Sequence, residues 1–535
     1  MAMQLLKQGR RAWPVIAGVL LPASAGAASE EFLEAEVTVL RSFAGDEGAG
    51  NFGWAVSELR DVDGDGAREA MTGAPFNAAG GENAGRAYVY SGASGAPLFT
   101  WTGEPNDALG YALADAGDVD GDGASDIIVG APGFAGPGRA YLYSGADGSQ
   151  IHLFVGTGEA GSFGSAVASA GDLDGDGRAD LLVGAETDPT AGMNAGRVVA
   201  FSGADFEPLW VREGDAVNGF LGSGAAPLGD VDGDGTPDVV VGARGAGQAA
   251  KGSVYVLSGT DGADLYAPRE ADETGGNLGH FFVAGVGDLD GDGASEVYGG
   301  DYADSEHGMA SGKAYVWSGK TGALLYQFVG ELAGDGLGCG RGAGDADGDG
   351  TPDLAIGAYG SDPNGVKGGG RVVIFSGATG AEIRRISGAV EQLQVGFDVV
   401  GVGDVDADGR DDLLLSGAFL DRMFIISGAT DERPEDTTGA PATDSDAASD
   451  AGSASDTGAP ADTGASSDAQ STGDAGVTEG DAGTSGAPAG TSTGAPASGG
   501  GEEPDGGCGC RSAGASGWLL APLALLYRRR RAGAP

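Results

Sequence analysis

One acidic stretch, repeated seven times, constrains this chain more than any other feature. Its second copy, Gly117 to Pro132, reads GDVDGDGASDIIVGAP, and the β-formers Ile127, Ile128 and Val129 follow the last acid directly. The first carboxylates of the copies are Asp61, Asp118, Asp172, Asp230, Asp288, Asp345 and Asp404, spaced by 57, 54, 58, 58, 57 and 59 residues. A fixed long period means one repetitive architecture, not the unrelated domains that 535 residues would otherwise allow.

Three aspartates at alternate positions, a glycine and a fourth acid make a compact oxygen cage for a hard cation, here Ca²⁺. The candidate ligands are Asp61, Asp63, Asp65 and Glu69; Asp118, Asp120, Asp122 and Asp126; Asp172, Asp174, Asp176 and Asp180; and Asp230, Asp232, Asp234 and Asp238. They continue with Asp288, Asp290, Asp292 and Glu296; Asp345, Asp347, Asp349 and Asp353; and Asp404, Asp406, Asp408 and Asp412. Up to seven Ca²⁺ are expected, with a structural role. Four carboxylates in one tight loop repel each other, and a dication removes that penalty. An EF-hand is excluded, because its twelfth position would need a glutamate and here falls on Val129 or Val183, inside strand-like runs. The competing reading is a set of solvated acidic turns without metal.

Around each acidic loop the sequence places four strand-like pieces. The first opens on an apolar–Gly pair, such as Phe52-Gly53 or Leu221-Gly222. The second leaves the loop and ends in Gly-Ala. The third, such as Arg139-Ala140-Tyr141-Leu142-Tyr143, ends in Ser-Gly, and the fourth runs out to the next repeat. Short antiparallel strands repeated in this way bury their faces by radial packing, so the expected fold is an all-β, seven-bladed β-propeller of four-stranded antiparallel blades over 35–429. The last repeat lacks a fourth strand, and residues 35–43 resemble one. That N-terminal strand is expected to close the ring.

The ends read differently. Residues 1–27 have a basic start, a short apolar run and Ala25-Gly26-Ala27, the pattern of a secretory signal peptide. Residues 430–507 are Gly, Ala, Ser, Thr, Asp and Pro, expected to be a disordered acidic linker. Residues 508–535 carry Cys508-Gly509-Cys510, an apolar run from Trp518 to Tyr527 and four arginines. That run is short of an ordinary membrane span. The segment resembles the MYXO-CTERM sorting tail, which implies processing near the cysteine pair, contact with the membrane only through the tail, and retention at the cell surface or outer envelope.

The repeats also carry a family resemblance. The Phe-Gly start, the D-x-D-x-D-G-x-x-D loop and the Gly-Ala-Pro end resemble FG-GAP repeats, the blades of the integrin α-subunit propeller. The resemblance implies carboxylate ligands at loop positions 1, 3, 5 and 9 and a backbone carbonyl at position 7, that of Ala124 in the second repeat. Glu69, Glu296 and Ala407 depart from the pattern.

A net charge of -50 excludes nucleic acid as a partner, since that needs a basic footprint. Three cysteines, two of them in the tail, exclude a disulfide framework. His152, His280 and His307 are scattered, and no nucleophile elbow, zinc helix or phosphate loop is present, so no enzyme is expected. The expectation is a secreted, surface-retained, monomeric calcium-binding propeller acting in adhesion or recognition. Its protein or polysaccharide ligand would sit on the face opposite the Ca²⁺ loops, near Pro75, Pro132, Glu186, Arg244, Tyr302, Tyr359 and Phe419. The alternatives are a purely structural envelope protein and an enzyme using the axial channel.

Overall fold

Burial follows strand position within each repeat. Second strands such as Asp126–Ala131, Asp180–Ala185 and Asp238–Ala243 are buried along their whole length. Continuous apolar runs packed on both faces require this. Fourth strands such as Pro97–Thr102 and Pro208–Glu213 are mostly exposed or half-buried. This gradient is that of sheets packed face to face around an axis, with first strands innermost.

The computed structural model describes residues 30–46, 49–134, 136–157 and 160–428. The chain divides into two units, Met1–Pro441 and Ala442–Pro535, and the described residues all belong to the first. The expected signal peptide (1–27), linker (430–507) and sorting segment (508–535) lie outside the described residues.

The strands are β1 (Val39–Ala44), β2 (Val56–Leu59), β3 (Glu69–Ala74), β4 (Arg86–Tyr90), β5 (Pro97–Thr102), β6 (Ala112–Gly117), β7 (Asp126–Ala131), β8 (Gly136–Tyr143), β9 (Gln150–Val155) and β10 (Ala160–Gly171). They continue as β11 (Asp180–Ala185), β12 (Arg197–Phe201), β13 (Pro208–Glu213), β14 (Leu221–Gly229), β15 (Asp238–Ala243), β16 (Ser253–Leu257), β17 (Arg269–Glu270), β18 (Val283–Gly285) and β19 (Val297–Asp301). The last are β20 (Lys313–Trp317), β21 (Leu324–Val329), β22 (Leu337–Gly344), β23 (Asp353–Ala358), β24 (Arg371–Phe375), β25 (Glu382–Ser387), β26 (Val399–Gly403), β27 (Asp412–Gly417) and β28 (Arg422–Ile426).

The sheet pairing corrects the expectation of seven separate blades. Five separate four-stranded blades form: β2–β5, β14–β17, β18–β21, β22–β25, and β1 with β26–β28. Residues between Ala112 and Glu213 instead form one eight-stranded sheet, β6 through β13. The fusion runs through parallel pairing of β8 with β10, Gly136 opposite Ala160 and Gly138 opposite Phe163. At five other junctions the same contact is one isolated parallel bridge, such as Gly85 with Leu109 or Gly312 with Leu337. The physical cause is loop length. Only 132–135 separate β7 from β8, whereas 75–85 separate β3 from β4, so β8 starts early enough to reach its neighbour's first strand.

The repeated glycines mark where consecutive repeats touch. A Cβ added at Gly73 would lie 1.8 Å from the Gly110 carbonyl oxygen, and one at Gly242 equally close to that of Gly279. The Gly of each Gly-Ala marker thus meets the Gly of the next apolar–Gly pair, and no side chain fits between.

The ends of the ring meet differently. β1 pairs antiparallel with β28, Val39 opposite Ile426 and Ala44 opposite Arg422. Phe32 and Val37 are buried with Phe424 and Ile386, and Arg384 donates to the Ser427 and Glu36 carbonyls. The Val56 amide of the first repeat donates to Asp398 of the last at 2.9 Å.

Candidate functional site

Each acidic loop joins a first strand to a second, so all of them lie at one end of the sheets. The loop closes on its own carboxylates. In the second repeat the Gly121 and Gly123 amides donate to Asp118, the Asp122 amide to Asp120 and the Ala124 amide to Asp122, at 2.7–3.0 Å. The sixth repeat repeats the pattern from Gly348, Gly350, Asp349 and Thr351 to Asp345, Asp347 and Asp349. Loop position 4 needs a left-handed backbone, as at Gly121 (φ 80°), and Ala407 adopts it at φ 62°.

The structure separates the four acids of each loop into two roles. Those at positions 1, 3 and 5 are exposed or half-buried, whereas the ninth-position acid is fully buried in every loop. Asp126 accepts from the Val119 and Asp120 amides at 2.8 and 3.2 Å and, with its other oxygen, from Gly145 at 3.1 Å. Asp180 reaches Leu173 and Gly203, Asp238 reaches Val231 and Gly259, Asp353 reaches Ala346 and Gly377, and Asp412 reaches Val405 and Gly428. The ninth acid therefore ties the loop to the Ser-Gly turn after the third strand. Sequence spacing alone marked it only as a fourth ligand. The repeated Ser-Gly pair was its signal.

Burial raises these carboxyls, and the amide donors oppose the shift. Asp126 and Asp353 are pushed up to about 6, Glu69, Glu296 and Asp412 to about 7, and Asp180 and Asp238 upward. The longer side chains behave differently from one another. Glu69 accepts from Val62 and Asp63 at 2.7 and 3.3 Å, with a weak contact to Gly92 at 3.4 Å. Glu296 accepts from Leu289 at 2.5 Å, but its Oε1 is buried without a hydrogen-bond partner.

Oxygen atoms within 4.8 Å of one another come from Asp288, Asp290, Asp292 and Glu296, all four expected ligands of the fifth loop. Three acids unite in the groups Asp61, Asp63 and Glu69; Asp118, Asp120 and Asp122; Asp172, Asp174 and Asp180; and Asp230, Asp232 and Asp234. Two further groups occur among the described residues. These groups leave out Asp65, Asp126, Asp176 and Asp238 from their own loops. An all-oxygen donor set of this kind suits a hard divalent cation.

The opposite end carries the loops after Gly-Ala and the connections between repeats. The residues expected there largely contact each other. Pro75, Pro132 and Tyr302 are buried, Arg244 pairs with Glu186 at 2.8 Å and lies 3.8 Å from the Phe220 ring centre, and Phe419 packs edge-on against Phe397. Exposed apolar side chains occur instead at Phe134, Met193, Val217, Met309 and Leu332. Sequence reasoning missed them, although Met193 and Met309 share a Gly-Met-x-x-Gly pattern. His280 is buried, stacked on Phe281 and bonded to the Tyr302 hydroxyl, and burial lowers its pKa. Cys339 is a buried free thiol. No helix of the described residues is long and apolar enough to cross a membrane.

Comparison with known proteins agrees with this geometry. The FG-GAP-like repeat matches residues 118–183, and the FG-GAP repeat matches 222–257 and 342–375. "Integrin alpha-5" of Xenopus laevis is 34% identical over 163 residues, 29% of this chain and 15% of the relative. "Integrin alpha pat-2" of Caenorhabditis briggsae is 34% identical over 218 residues, 36% of this chain and 18% of the relative. "Integrin alpha-IIb" of Homo sapiens is 37% identical over 153 residues, 25% of this chain and 14% of the relative. The chain thus spans less than a fifth of the length of each of these relatives. The sheets and these matches together support an integrin-α-like β-propeller carrying FG-GAP repeats.

Proposed function

We propose that residues 35–429 form a calcium-binding recognition module of a secreted protein, exported through residues 1–27 and retained at the cell surface by 430–507 and 508–535. Ca²⁺ sits in the acidic loops, held by the acids at positions 1, 3, 5 and 9, and stiffens the hairpins. The observation that carries this reading is the division of labour within each loop. Backbone amides cap the outer aspartates while leaving them further acceptor oxygen, and those oxygens converge within 4.8 Å. Recognition of a protein or polysaccharide is assigned to the opposite end, where Phe134, Met193 and Met309 stand exposed. The likeness to integrin α chains supports adhesion or recognition as the class of function. No step of chemistry is assigned to the chain.

The test is calorimetric. Several Ca²⁺ should bind per chain, and a chelator should lower the melting temperature by roughly 10 °C or more, the scale of about 1–2 kcal/mol at each of several linked sites. Identical melting with and without chelator would overturn the structural role of the metal. For recognition, Met309→Asp with Met193→Asp should abolish pull-down of envelope protein or polysaccharide by the purified chain, a readout separate from retention through the tail, while leaving melting unchanged.

A further inference from the structure

The inner strands enclose a second feature, unrelated to the cation loops. A cavity of about 700 Å³ runs along the axis, lined by the first strand of every sheet and by both first strands of the fused sheet. One end is shut. Trp54 meets Tyr111, Phe281 and Phe397 with ring centres 5.2–6.3 Å apart. Arg341 stands between these rings and the main cavity, lining both. The other end reaches the surface beside the acidic loops at Arg60 and Arg68, whose side chains are 65% and 47% exposed. The cavity is therefore a blind well.

Its two walls differ. On one side lie Val167, Ala168, Ala225, Ala226, Val283 and Ala284. On the other lie three arginines and their acidic neighbours. The acid beside Arg341 is already supplied with donors: Asp398 accepts from Arg341 and from the Val56 and Val399 amides. Asp115 accepts from Gly117, Ser125 and the Arg60 amide, whereas among the described residues Glu58 accepts only from Arg68 and Asp411 only from the Asp345 amide. The guanidinium groups are not used up. Arg341 bonds only through Nη2 and Arg68 only through Nη1, and the Arg60 side chain lies 3.7 Å from Asp115, all counted among the described residues. The open inner edges of the strands add donors and acceptors in equal number. The well thus has spare charged donors at Arg341, beside an Asp398 already supplied by Arg341 and two amides, and one apolar wall.

We propose that this well binds a small amphipathic organic anion, with a carboxylate or sulfonate head at Arg341 and an apolar body against β10, β14 and β18. A volume of this size suits a small organic molecule, and a planar guanidinium matches such a head in two parallel hydrogen bonds. Arg60 and Arg68 attract the anion to the mouth through an otherwise acidic rim.

The test uses naphthalene-2-sulfonate and its uncharged sulfonamide, titrated into the full chain by calorimetry at constant Ca²⁺. The sulfonate is expected to bind one site at least about tenfold more tightly than the sulfonamide, and Arg341→Met to erase that difference. Arg212→Met, on the outer edge, should change nothing. Where Arg341→Met does not fold, the exposed double variant Arg60→Gln with Arg68→Gln must weaken the sulfonate at least about threefold. No saturable sulfonate binding, equal binding of both probes, or unchanged binding by a folded variant overturns the proposal.

Discussion

The tip and the base of each acidic loop are built from the same residue type and do different work. At the tip, Asp118, Asp120 and Asp122 are partly or fully exposed, and each accepts amide bonds only from within the loop. At the base, Asp126 is completely buried and bonds the loop to Gly145, nineteen residues on. The difference teaches that a carboxylate's role follows from how many donors surround it. A carboxylate bonded by amides of two hairpins serves as a structural joint besides any cation it meets, whereas one bonded only within its own loop is left to the cation.

The largest effect should come from breaking the base. Asp126→Ala leaves the Val119, Asp120 and Gly145 amides without their acceptor and should cost about 4 kcal/mol, measured by denaturant unfolding, in the presence or absence of Ca²⁺. Asp122→Ala should remove one Ca²⁺ per chain by calorimetry and leave the calcium-free stability within about 0.5 kcal/mol. Equal losses for the two variants without calcium would erase the distinction between tip and base.

A smaller effect sharpens the comparison at the fifth repeat. Glu296 carries one buried oxygen without a partner, and Gly319 stands where Gly145 and Gly377 serve the shorter acids. Glu296→Asp should let the Gly319 amide reach the carboxylate and raise stability by about 1 kcal/mol, read as a shift of the unfolding midpoint. A loss of stability would show that the longer side chain is matched to its loop.

The smallest effect concerns the backbone of the tip. Ala407 holds φ 62°, a conformation its six counterparts fill with glycine. Ala407→Gly should raise stability by about 0.5 kcal/mol, the relief of left-handed strain offset by glycine's greater freedom when unfolded. An unchanged or lower midpoint would mean that this loop carries no strain.

Much of this was legible in the residues. The period located every acidic loop, the Ile127–Val129 type of run located the buried strands, and the unpaired strand near the N-terminus located the partner of β28, with Val39–Ala44 in place of 35–43. The glycine pairs were visible as markers, but not as contacts. Gly73 and Gly110 are separated by a whole third and fourth strand in sequence and touch only when two repeats pack.

What the sequence determined by itself is therefore local and periodic: strand, loop, acid spacing and the all-β class. Tertiary structure decided the rest. It fused β6 to β13 into one sheet, because a short connection brought β8 beside β10. It turned ninth acids such as Asp126 inward, because their amide donors come from two different hairpins. It shut one end of the axial well with rings from widely separated repeats. Each of these depends on groups far apart along the chain, and a period records only what recurs within one repeat.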